Sequence, residues 1–354
     1  MSEFDYSLLS KMLHSIALGN RSVLEFSFDM ETALQKNKPV AIGSPVFVSG
    51  LARSGTTIIM RTLYETGAFR CITYRDMPFV LMPGIWKKFR GKTITKPEEK
   101  ERAHADGIMV NFDSPEAFEE IFWRCFCADD YIKTSSVIPH KLSNEVIQKF
   151  QLFMQHTVAS AENSTGGIRY LSKNNNNILR FPQLMQQLPQ AVFIIPFRHP
   201  LQHAYSLMKQ HKHFSSMQKN NPFVLKYMNW LGHFEFGLGH KPFIWKQEDE
   251  AILQQFSINE INYWLQCWKN YYEKILAFNE ANCICICYED LGTKGADIFS
   301  NLLKRLQIQN TRAIPPFKVP AFQQIENFDH SLLKACMFVY EALRVKSNAD
   351  IERK

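Results

Sequence analysis

Val46-Phe-Val-Ser-Gly50-Leu-Ala-Arg53-Ser54-Gly55-Thr56-Thr57-Ile-Ile places an apolar β-branched run, two glycines five residues apart and a helix start end to end. Val46 to Val48 suits a buried strand. Gly50 and Gly55 let the backbone close tightly, and a helix opening near Gly55 aims unpaired N–H groups and the positive end of its dipole at the loop. That is the architecture of a phosphate-binding loop. The Gly50-x-x-x-x-Gly55 spacing matches the nucleoside triphosphate loop, but Thr56 stands where that loop needs the lysine that reaches the β- and γ-phosphates. The nearest cation is Arg53, two residues before the second glycine.

Downstream, Ala191-Val-Phe-Ile-Ile-Pro-Phe-Arg198-His-Pro200 repeats the plan of a strand followed by a helix, with Pro200 suited to the first helical turn and Ser206 on that helix. Arg53-Ser54-Gly55-Thr56-Thr57 together with Arg198 and Ser206, eight residues apart, resembles the sulfotransferases that use 3′-phosphoadenosine 5′-phosphosulfate. The arginine form of the loop resembles that of protein-tyrosine and many bacterial members. The resemblance covers 45–210 well and about 283–320 loosely. It implies an α/β fold, a doubly wound parallel sheet with a P-loop-like phosphosulfate loop and helices on both faces. It also implies in-line transfer of a sulfuryl group from that donor to a hydroxyl acceptor, a sugar, phenol or small metabolite, leaving 3′,5′-ADP.

By the same resemblance, Arg53, the loop amides and the hydroxyls of Thr56 and Thr57 hold the 5′-phosphosulfate, with Ser54 in the same loop. Arg198 and Ser206 hold the 3′-phosphate. Tyr288, in Tyr288-Glu-Asp-Leu291, lies near the adenine or 3′-phosphate, and Lys318 covers the nucleotide from a C-terminal loop. Lys173, ending the strand Arg169-Tyr-Leu-Ser-Lys173, points at the sulfonyl group, although the Asp-Pro or Thr-Pro usual after it is replaced by Asn174-Asn. Sulfuryl transfer also needs a base for the acceptor's proton. Asp76, just beyond the second strand, is the first candidate, and Arg75 beside it offers an ion-pair role instead. His104 and Glu116 compete with it. The chemistry requires no metal.

The rest of the chain reads around these motifs. Residues 1–40 have helical apolar spacing and form a helical segment. Residues 41–320 form the catalytic domain, and 321–354 a C-terminal helix. A second strand runs from Phe69 to Tyr74, and 87–102 is a polar, basic, exposed excursion. Ser114-Pro115-Glu116 reads as an N-cap, an N1 proline and an early acid opening a helix. Helices are expected at about 142–162, 177–187, 200–212, 258–280, 291–306 and 329–345, and strands at 168–172, 191–197 and 283–288. Residues 214–257, rich in His and aromatics without clear period, read as an irregular insertion. With 76–120 they should build the acceptor mouth, favouring a hydroxylated, anionic or glycosidic acceptor.

Across 354 residues, 45% are apolar, enough for a sizeable core. Forty-one basic against 34 acidic residues leave +7, compatible with an anionic ligand without implying nucleic acid. Eight cysteines lack Cys-x-x-Cys spacing, which fits reduced structural thiols rather than a metal site. The start has no basic, apolar leader, and no segment approaches 18 uninterrupted apolar residues, so the expectation is a cytoplasmic protein without a membrane span. Two other readings remain: a catalytically silent protein that binds the donor or 3′,5′-ADP, and a P-loop kinase.

Overall fold

The computed structural model describes residues 7–35, 42–90, 99–102, 107–161, 167–278, 280–309, 313–314, 316–317 and 319–352. In chain order the elements are α1 (Leu8–Gly19), α2 (Arg21–Gln35), β1 (Val46–Val48), α3 (Thr56–Glu65), β2 (Phe69–Arg70), α4 (Pro83–Phe89), β3 (Lys100–Glu101), β4 (Met109–Val110), α5 (Glu120–Tyr131) and α6 (Asn144–Ala159). There follow β5 (Arg169–Lys173), α7 (Phe181–Gln187), β6 (Val192–Phe197), α8 (Pro200–Asn220), α9 (Pro222–Leu231), α10 (Gln247–Leu253), α11 (Ile261–Ala277), β7 (Cys283–Cys287), α12 (Tyr288–Arg305) and α13 (His330–Glu352).

Five strands pair in the order β2-β5-β1-β6-β7, every pair parallel, with β1 at the centre. Alternation divides their side chains between two apolar layers. Phe47, Phe193, Ile195, Phe197 and the thiols of β7 pack with residues of α5 to α8, α11 and α13. Val46, Val48, Leu171, Ile194, Ile284 and Ile286 pack with α3 and α12 on the other face. This is the expected α/β sheet with helices on both faces. Being parallel, it collects the loops after β1, β5, β6 and β7 at one edge, where ligands of open α/β sheets bind.

Four local readings need correction. The second strand stops at Arg70, because Thr73 and Asp76 cap a 3-10 turn over Tyr74–Asp76 instead. The helix expected from Ser114 begins only at Glu120: Pro115 bridges antiparallel to Thr73, and the Ser114 hydroxyl accepts from the Asn111 amide rather than capping. The segment 87–102 is not an exposed excursion throughout, since Lys87 Nζ donates to the carbonyls of Ser160 and Ala161 and Arg102 is buried. Residues 214–257 are largely helical. α8 continues to Asn220, Asn221 caps α9 with Pro222 at its first turn, Gly232 ends it in the left-handed conformation, and α10 follows. α9 buries Val224, Tyr227, Met228 and Leu231 along one stripe at helical spacing, while Phe234 and Phe236 beyond its end are buried outside any helix.

Candidate functional site

The loop after β1 is fixed from beneath. The Ser49 amide donates to the Ile194 carbonyl at 2.9 Å and its hydroxyl to the Asn174 carbonyl at 2.7 Å. A Cβ on Gly50 would lie 2.8 Å from the Pro196 carbonyl oxygen, so only glycine lets β1 and β6 approach here. His203 Nε2 faces the Ala52 carbonyl at 2.7 Å and donates to it, while burial, then the charges of Arg198 and Arg53, push its pKa down to about 3 and keep it neutral.

Arg53 has φ +71°, a left-handed conformation that strains a non-glycine residue and recurs where a loop must present a side chain. Its Nε donates toward Ser206 Oγ at 3.4 Å. Arg198 donates through Nη1 to the Arg53 carbonyl at 3.3 Å, and its guanidinium lies 4.8 Å from the centre of the Tyr288 ring. Arg198 Nε is buried without a hydrogen-bond partner. Gly55, at φ +103°, precedes the first turn of α3 with no side-chain cap, and a Cβ there would stand 2.5 Å from the Tyr288 ring. The loop, the end of β6, α8 and the start of α12 thus converge. They offer two guanidiniums, an orphaned N–H, a hydroxyl and the uncapped amides of Thr56 and Thr57, a donor set suited to phosphate oxygens.

A second cluster stands beside it. Lys173, at the end of β5, places Nζ 3.4 Å from Glu116 Oε1, and Arg102 Nη1 lies 3.2 Å from both Glu116 Oε2 and the hydroxyl of Thr57. All three charged residues are at least nine-tenths buried. The irregular stretch forced by Pro115 carries Glu116 over the strand ends, and the β3–β4 region carries Arg102 in. Asp76 is elsewhere. It is buried, both its oxygens accept from Arg70 Nη2 at 2.8 Å, and Oδ2 also takes the Thr73 amide and hydroxyl. His104 and Lys318 lie outside the described residues.

Beneath Lys173 a polar network fixes the turn after β5. Asn174 Nδ2 donates to Glu119 and Glu120, Asn177 donates to Glu119, and Arg180 forks onto both oxygens of Glu120. Burial pushes the Glu120 pKa up, but the Arg180 charge and hydrogen bonds outweigh it and hold the group below its ordinary value. Among the described residues no group of His, Cys, Asp or Glu is arranged to hold a metal ion. Sequence reasoning missed Arg102, which sits in a polar run with no local signature, and the Glu119–Glu120 pair, whose partners come from β5 and α7.

The model of the sulfotransferase family matches residues 45–235, the span that carries both clusters except Tyr288. The chain belongs to the sulfotransferase family. No curated protein matches this family member. Among solved structures it is similar to sulfotransferase STF1 of Mycobacterium tuberculosis, with 11% identity, 99% of this chain and 85% of that one covered, and a TM-score of 0.42. STF9 of Mycobacterium avium has 12% identity, 94% and 76% coverage and a TM-score of 0.45. The sulfotransferase domain from the curacin biosynthetic pathway has 12% identity, 78% and 77% coverage and a TM-score of 0.35. Likenesses of that size add nothing to the assignment, which rests on the family match.

Proposed function

We propose that this sulfotransferase-family chain moves a sulfuryl group from 3′-phosphoadenosine 5′-phosphosulfate to a hydroxyl acceptor. The observation that carries the reading is the meeting of Arg53, Arg198, Ser206 and Tyr288 from four separate elements around one glycine loop. Arg53 and the amides of 55–57 would take the 5′-phosphosulfate. Arg198, with its spare N–H, and Ser206 would take the 3′-phosphate. On sequence grounds Lys318 would cover the nucleotide. The donor supplies the activated sulfuryl group; the new S–O bond forms as the bond from sulfur to the phosphate oxygen breaks, and the protein must place the acceptor in line.

Glu116 is our candidate for the base, ahead of Asp76 and His104. Each of its oxygens faces a cation, Lys173 or Arg102. When those cations turn to the sulfonyl oxygens, where charge grows in the transition state, Glu116 is left free to take the acceptor's proton. Asp76 has no such freedom, because removing it from Arg70 would strand a buried guanidinium. Among the described residues no helix is long and apolar enough to cross a membrane.

Thermal unfolding with nucleotides tests the donor assignment. Binding to the native state alone raises stability with ligand concentration over Kd. 3′,5′-ADP should raise the melting temperature well above the shift given by AMP or ATP at the same concentration. Equal shifts from AMP would remove the 3′-phosphate site and this reading with it.

A further inference from the structure

α1 and α2, joined through Asn20 and packed on each other, are apolar on two sides, but the described residues cover only one. Inward, α1 buries His14, Ala17 and Leu18, and α2 buries Leu24, Phe28 and Glu31. Outward, α1 presents Leu8, Leu9, Met12, Leu13 and Ile16. α2 presents Phe26, Met30 and Leu34, four residues apart and so in one row; the eight are between 37% and 82% exposed. Apolar residues on both faces are the pattern of a helix covered on both sides. Both helices precede the span matched by the sulfotransferase family, so the face is this chain's own. We propose that a second copy of the chain covers it, making the protein a symmetric dimer joined through its α1–α2 pairs. The proposal does not depend on the sulfuryl-transfer reading.

The face is held rather than loose. Buried Glu31 accepts the Gly84 and Ile85 amides at 3.1 and 2.9 Å, which pins α2 to the start of α4. Phe28 packs on the rings of Phe122, Phe126 and His156, the Arg124 guanidinium donates to the Leu18 carbonyl, and the His14 ring lies 5.7 Å from that of Tyr227. With the inner sides committed, the outer side chains cannot turn into the core. A partner therefore meets a preformed surface, at little cost in ordering.

Area and charge select the partner. The eight outer residues expose roughly 800 Å², more than the largest patch of an ordinary monomer and about one partner's share of a standard interface. A two-fold axis sets such a patch against itself, which requires that it not repel its own copy. None of the eight is charged, and Lys11 turns aside to the Phe223 ring of α9, 5.2 Å away. Over both helices Lys11 and Arg21 stand against Glu25, Asp29 and Glu31, so two copies meet here without the repulsion that +7 brings to the chain as a whole. An uncharged apolar face has the composition of a homodimer interface rather than a transient one. Helices that lie on an anionic bilayer border their apolar face with lysine and arginine, and here acids outnumber them.

Sedimentation of the full chain over about 1 to 100 μM tests this, alongside the melting temperature, which rises with concentration for a protein stabilised by self-association. The natural chain should run at twice its sequence mass. Met12→Glu with Met30→Glu, which sets like charges against each other across the axis, should weaken the dimer at least about a hundredfold. Phe338→Glu, at an equally exposed position on α13, should leave the mass doubled. Circular dichroism shows whether the double variant keeps its fold; should it not, Leu9→Ser with Ile16→Ser should weaken the dimer at least about tenfold by removing apolar area alone. A monomer at every concentration, a folded double variant that stays dimeric, or a dimer dispersed as strongly by Phe338→Glu would overturn the proposal. So would flotation of the natural chain with phosphatidylcholine–phosphatidylglycerol vesicles that is lost in the double variant, since the face would then belong to a bilayer.

Discussion

Two buried carboxylates near the strand ends, Glu116 and Asp76, differ in what their removal leaves behind. Glu116 sits between Lys173 and Arg102, cations that the transferring group can also engage. Glu116→Gln should lower turnover roughly a hundredfold or more, the range for losing a general base, with 3′,5′-ADP affinity within about threefold. Asp76→Asn leaves Arg70 buried beside an uncharged amide, so its effect should fall on folding, by about 3–5 kcal/mol. Denaturant melts and single-turnover rates on both variants separate the roles. Full stability with lost turnover in Asp76→Asn, and the reverse in Glu116→Gln, would return the base to Asp76. Arg198→Ala should weaken 3′,5′-ADP binding by about 2–4 kcal/mol, as for one partner of a desolvated charge pair, and calorimetric titration reads it directly. An affinity loss no larger than that of Lys212→Ala, an exposed cation on α8, would remove Arg198 from the site.

At the scale of elements, the β1–loop–α3 unit is the part where local chemistry and tertiary role coincide. Gly55 has φ +103° and faces the Tyr288 ring, so Gly55→Ala meets both backbone strain and a clash with the aromatic that stacks on Arg198. Gly67, at φ +77°, has open space around it. Gly67→Ala should therefore cost about 1 kcal/mol of stability by backbone strain alone and leave nucleotide affinity intact, whereas Gly55→Ala should lose at least tenfold in 3′,5′-ADP affinity. Indistinguishable affinities would mean that Tyr288 and the loop do not act together. The same contrast explains what the sequence made legible. β1, α3, β6 and α8 declare themselves through apolar runs, glycine and proline within a few residues, and with them the positions of Arg53, Arg198 and Ser206. Arg102 and Glu116 do not, since their meeting depends on Pro115 bridging to Thr73 instead of opening a helix, a choice made by the sheet edge. The helix α9 within 214–257 carried its caps at Asn221-Pro222 and Gly232 and a regular buried stripe at Val224, Tyr227, Met228 and Leu231 all along.

For the whole molecule, the buried imidazoles tie stability to pH. His156 is pushed down to about 4, His203 to about 3 and His211 to about 4, in each case chiefly by burial, with Arg198 and Arg53 adding to the effect at His203 and Lys212 at His211. All three have under a tenth of their surface exposed, so they stay neutral in the native state while the unfolded chain titrates near 6.5. A folded pKa lowered below the unfolded one means that the unfolded state binds the extra protons between those values. Stability is then fully present above about pH 6.5 and declines as pH falls toward 4, by about 1.4 kcal/mol per pH unit for each histidine that remains neutral. Melting temperature should consequently be flat from pH 8 to 7 and drop steeply from 6.5 to 5, before most carboxylates protonate. His156→Gln, remote from the phosphate loop, should flatten that drop by about one proton's worth of slope. His203 answers differently, because it lies near the cations of the proposed donor site: bound 3′,5′-ADP, by adding negative charge near Arg198 and Arg53, should raise its pKa from about 3 and make nucleotide binding take up protons as pH falls from about 4 toward 3. Calorimetric titration in buffers of different ionisation enthalpy counts those protons. A count of zero across that range would separate His203 from the charge of the site and leave it only its hydrogen bond to Ala52.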